Sequence, residues 1–124
     1  MAVVSSVLAV SEKPDAAVRT FYRIVHSDPP LLSDFVSNAA MGRPPRRPTP
    51  EVLRLWDGIS VFVTEQQARE KALQFPQLGG YLARLALPLG HAIRIERTTR
   101  SEGHYTLWTA ATVLLSSVVD VVSV

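Results

Sequence analysis

At 124 residues the chain has the size of one domain and can bury a core without disulfides or metal. It contains no cysteine, which excludes disulfide stapling and thiolate catalysis and removes most structural zinc chemistry. Thirteen basic against eleven acidic residues leave a net charge of +2, too little for a protein that coats nucleic acid at large.

The N-terminal stretch Met1–Val10 is apolar, lacks a basic start and is interrupted by Ser5 and Ser6. It is shorter than the ~20 apolar residues of a membrane span. Residues 1–15 therefore read as a lead-in to a single domain over 1–124, and the chain as soluble and cytoplasmic. Arg19–His26 is rich in aromatic and β-branched residues and predicts a strand, stopped by Asp28-Pro29-Pro30. A helix is expected over Leu31–Met41, with Leu31, Leu32, Phe35, Val36 and Ala39 inward and Gly42 as its stop. Residues 42–50 carry four prolines together with Arg43, Arg46 and Arg47. That composition predicts an extended proline/arginine-rich loop.

Pro50–Trp56 reads as a short helix with proline in its first turn. Gly58–Val63 then alternates as a strand that runs directly into Thr64, an N-cap with Gln67 three residues on. The helix that follows extends to about Phe75. Ala68, Ala72, Leu73 and Phe75 form its apolar side, and Glu65 faces Arg69 four residues later. Tyr81–Leu87 and Ile93–Arg97 alternate as strands, with a break at Pro88-Leu89-Gly90 between them. His104–Trp108 makes another short strand. A turn of helix over Thr109–Leu114 leads into a valine-rich terminal strand. The fold class is α+β, a small, curved, mostly antiparallel sheet with two to three packed helices.

Arg23 is out of place in an aromatic strand, because an unpaired guanidinium is costly to bury. If Tyr22 and Ile24 face the core, Arg23 faces a cleft. The strand–cap–helix junction sets Ser60, Thr64 and free helix N–H groups beside the sheet, where an anion could sit. Eleven of the thirteen basic residues are arginine, the better side chain for a bidentate grip on phosphate or carboxylate. Arg43, Arg46 and Arg47, with Arg94, Arg97 and Arg100, could form one cationic rim.

A first strand carrying Tyr22-Arg23, a later strand with Ser60, Phe62 and Thr64, a helix, and a strand bearing the lone acid Glu96 resembles the ADP-ribosyltransferase-like fold. Small rifampicin-type transferases and RES-domain toxins, which consume NAD, are of similar size. The resemblance is one of motif order over roughly Thr20–Arg97. It implies a toxin or effector that takes NAD as substrate. In that frame Arg23 holds the phosphate or ribose, Ser60 shapes the nicotinamide pocket, and Tyr81 or Phe62 stacks on the ring. Glu96 would then be the catalytic acid beside the developing cation, a role that needs a carboxylate close by. The chain has no Glu-x-Glu or Gln-x-Glu pair and no glycine-rich phosphate loop.

His104-Tyr105-Thr106-Leu107 resembles half of the 2H phosphoesterase motif, whose chemistry needs two histidines. His26 and His91 do not repeat the pattern. His104 joins Arg23, Ser60, Thr64 and Tyr81 as a candidate lining residue. No metal site is expected from three scattered histidines. Two functions stay open at this point. One is an NAD-binding or NAD-consuming protein with Arg23, Ser60 and Glu96 converging on one cleft. The other is a non-enzymatic module docking a partner through Arg43, Arg46 and Arg47, or pairing its terminal strand with a second copy.

Overall fold

The computed structural model describes residues 18–88, 93–98 and 102–124. The lead-in over 1–15, the break at Leu89-Gly90, His91 and Arg100 lie outside them.

Six strands form one antiparallel sheet: β1 (Val18–Val25), β2 (Ile59–Phe62), β3 (Tyr81–Pro88), β4 (Arg94–Arg97), β5 (His104–Trp108) and β6 (Val118–Ser123), in the order β4-β5-β2-β1-β3-β6. Among the described residues three α-helices accompany them, α1 (Pro50–Trp56), α2 (Glu65–Gln74) and α3 (Ala111–Ser116). The α+β class and the antiparallel sheet are as the alternation patterns predict. No helix among the described residues is long and apolar enough to cross a membrane.

Each face of the sheet carries a core, as expected where strands alternate between two covered sides. On one face Phe21, Val25, Val61, Leu85 and Leu107 pack with Phe35 and with Leu114 of α3. On the other, Ile24, Phe62 and Leu82 pack against Ala68 and Ala72 of α2. The small alanines let α2 lie close to the sheet. Leu73 and Phe75, expected on the apolar side, are instead exposed.

The junction after β2 forms as its sequence predicts. Gln67 N–H donates to Thr64 Oγ1 at 3.1 Å, and Thr64 N–H donates to Gln67 Oε1 at 3.2 Å. Glu65 and Arg69 pair at 2.8 Å. Thr49 caps α1 through Val52 N–H at 3.2 Å.

The helix expected over Leu31–Met41 does not form; a single 3-10 turn, Leu32–Phe35, takes its place. The reason is Asp34. Its carboxylate accepts from Leu31 N–H at 2.9 Å and from His26 N–H at 2.8 Å. Such local side-chain bonds give the backbone an alternative to the helix. The chain is extended again at Val36. Phe35 enters the core, whereas Leu31, Leu32 and Ala39 stay exposed.

Candidate functional site

β1 and β2 share a single ladder position, Tyr22↔Phe62, whereas β1 and β3 pair from Val18↔Pro88 to Val25↔Tyr81. The sheet thus divides between its two central strands, and Arg23 reaches across the division. Its Nη1 donates to the Ser60 carbonyl at 2.8 Å, and its Nε donates to the Asp34 carbonyl at 3.1 Å. Arginine has five N–H donors; two are used here, and the other three have no partner among the described residues. Burial lowers the guanidinium pKa to about 10, a drop that the negative charge of Asp34 partly offsets.

A cavity of about 660 Å³ opens at this division, within the range that accommodates small ligands and cofactors. Arg23, Ile24, Ser60, Phe62 and His104 contribute from the strands. Lys71 contributes from α2, Gln77 and Leu78 from the following turn, and the segment from His26 to Arg43 closes the remaining side. Its lining is mixed: Ile24, Val36, Met41 and Phe62 are apolar, Ser27, Ser33, Asn38 and Ser60 polar, and Arg23, Arg43 and Lys71 cationic. Asp34 is the single carboxylate among the lining residues, and both its oxygens already accept backbone N–H groups.

His104 packs edge-on against Phe62, ring centroids 5.3 Å apart. Its Nδ1 lies 3.1 Å from the Thr98 carbonyl. The Thr98 hydroxyl stands at the same 3.1 Å from Nδ1, so a proton on Nδ1 would go to the carbonyl and a bare Nδ1 would accept from the hydroxyl. Burial pulls its pKa down, the Thr98 bond pulls the other way, and the nearby Lys71 ammonium adds to the lowering. The Thr98 and Thr106 hydroxyls, 2.6 Å apart, complete this buried polar cluster.

Of the residues singled out by sequence, Arg23, Ser60, Phe62 and His104 meet in the cavity. Glu96 does not. It stands two strands beyond Ser60, in the row Glu96↔Thr106↔Ser60. Arg54 of α1 binds its two carboxylate oxygens at 2.9 and 3.0 Å, and Arg94 adds a contact at 2.7 Å. Hydrogen bonds from Arg54 and then Arg94 hold the Glu96 carboxyl below the usual range. The expected convergence of Arg23, Ser60 and Glu96 is therefore corrected to Arg23 and Ser60 alone. Tyr81 lies against the main core, opposite Val25, and does not line the cavity. Thr64 is committed to its cap, and neither it nor the α2 N-terminus lines the cavity.

The cationic rim also changes. Arg94 belongs to Glu96 and stacks over Trp108, 5.3 Å from the ring centroid. Neither Arg94 nor Arg97 lines the cavity, whereas Arg43 does. Arg43 is placed by its own carbonyl, which accepts from Trp56 Nε1. The sequence reading missed Asp34, His26 and Lys71. An acid inside Leu31-Leu32-Ser33-Asp34-Phe35 was the available signal for the first. Among the described residues no group of three metal-ligating side chains is close enough to hold an ion.

No protein-family model, curated protein or solved structure matches this chain.

Proposed function

We propose that the chain binds NAD in the cavity between β1 and β2, in the manner its resemblance to the ADP-ribosyltransferase-like proteins implies. The observation that carries this reading is Arg23, a half-buried guanidinium anchored to two carbonyls with three donors left over. Burying that charge is costly, and a phosphate would satisfy the remaining donors with charge-assisted bonds. Phe62 and His104, whose rings meet at 67°, contribute the aromatic part of the cavity wall, against which a base or nicotinamide ring would pack.

Turnover has less support than binding. Cleaving the glycosidic bond of NAD develops positive charge on the ribose, and a carboxylate beside it lowers the barrier. Glu96 is engaged by Arg54 and Arg94, and Asp34 is engaged by backbone N–H groups. The proposed activity is therefore NAD binding without efficient nicotinamide release. Titration calorimetry with NAD, run beside a nicotinamide-release assay, tests both halves. Saturable binding with no release is the expected result, and an absence of heat at millimolar NAD refutes the reading.

A second reading rests on Arg46 and Arg47, exposed and without an ion pair among the described residues. They suit an acidic protein surface. Cross-linking through Arg46 and Arg47 that their glutamine variants abolish would favour docking over nucleotide binding.

A further inference from the structure

Among the described residues, cations without a carboxylate partner occur both outside the cavity, at Arg19, Arg46, Arg47 and Arg97, and on its walls. Away from the cavity, Arg54, Arg69, Arg84 and Arg94 each have a carboxylate partner. Within the cavity, Arg23, Arg43 and Lys71 have none within ion-pairing distance among the described residues. Lys71 sits over the Phe75 ring at 5.2 Å and is near enough to the His104 ring to act on it electrostatically. That places it on the α2 wall, whereas Arg43 comes from the loop wall and Arg23 from the floor. The single lining carboxylate, Asp34, acts on Arg23. The positive charges on the other two walls are uncompensated. A ligand with one phosphate on Arg23 would leave both of them unneutralised.

We propose that Arg43 and Lys71 form a second phosphate subsite, which makes the cavity selective for ligands carrying a pyrophosphate over those carrying one phosphate. This rests on the reading of the cavity as a nucleotide site and extends it by naming the ligand class and two residues that set selectivity. Arginine would grip the two non-bridging oxygens of one phosphate and lysine would supply a point charge.

The test is calorimetry with ADP-ribose, AMP and adenosine on the wild-type chain and on the Arg43→Gln/Lys71→Gln double variant, with thermal melts to establish folding. Neither side chain is part of a core, and the Arg43 carbonyl that accepts from Trp56 is unchanged by the substitution. The wild type should bind ADP-ribose at least about tenfold more tightly than AMP, the effect of one charge-assisted contact. The double variant should reduce that ratio toward unity while AMP affinity holds. Equal wild-type affinities for ADP-ribose and AMP, or a double variant that weakens both alike, overturn the second subsite and leave nucleotide binding standing. Failure of every nucleotide to bind overturns both.

Discussion

Replacing Arg23 with methionine separates the role of this residue in binding from its role in folding. Burial brings the guanidinium pKa down to about 10. At about 1.4 kcal/mol per pH unit, that is a bias of roughly 3 kcal/mol against the charged form, which methionine relieves. Methionine supplies an unbranched stem about as long as the arginine chain out to Nε, but no donor. It leaves the part-buried Asp34 carbonyl without a partner from Arg23, at a cost of about 1–3 kcal/mol, whereas the exposed Ser60 carbonyl can turn to water. The two effects oppose one another at similar size, so Arg23→Met should change stability by no more than about 2 kcal/mol. At roughly 4 °C per kcal/mol the melting temperature should move by under about 8 °C. NAD affinity should meanwhile fall by about 100-fold, since charge-assisted bonds to phosphate disappear. Circular-dichroism melts and titration calorimetry measure the two quantities on the same sample. Unaltered NAD affinity in a folded variant would refute the assignment of Arg23 as a ligand contact. A variant that fails to fold would show instead that the guanidinium is a strut between β1 and β2.

Further substitutions probe the surroundings. Glu96→Gln should leave NAD affinity within about twofold, because its site and the cavity share no partner; a large loss would return Glu96 to the site. Thr64→Ala removes the α2 cap and should lower stability by about 1 kcal/mol in chemical denaturation without altering binding. Gly79→Ala should be severely destabilising: φ is +145°, and a Cβ there would strike the Val25 carbonyl. Burial lowers the His104 pKa, so the folded state favours the neutral ring. Its stabilising contribution is then complete above about pH 6.5 and declines as pH falls below that value. Denaturation midpoints should drop between about pH 7 and pH 5.5, and a midpoint that rises over this interval contradicts the assignment.

Local chemistry explains which parts of the molecule could be read from sequence. The unit from Ile59 through Thr64 to Gln74 was legible because alternation, a capping residue and a glutamine at the right offset agree within a few positions. Arg23 was legible as an anomaly, a cation in a strand of aromatic and β-branched residues. Its carbonyl partners were not, since Ser60 lies 37 residues away. Glu96 shows the opposite failure. Alternation fixed its strand, but the pairing with Arg54, 42 residues away, depends on where α1 docks. The Leu31–Met41 segment has a helical apolar spacing that Asp34 defeats by bonding backwards to His26 and Leu31. Lys71 reads in sequence as an ordinary exposed cation of an amphipathic helix, and only the docking of α2 brings it to the cavity.

Main-chain pairing is thinnest at the middle of the sheet, where Tyr22↔Phe62 is the one shared ladder position. Mechanically this is a seam between two triplets of strands, β4-β5-β2 and β1-β3-β6. The Arg23–Ser60 bond is a stitch across it. A guest held from both sides would add stitches of its own, so occupancy would register as slower amide hydrogen exchange along β1 and β2, well before any change of shape.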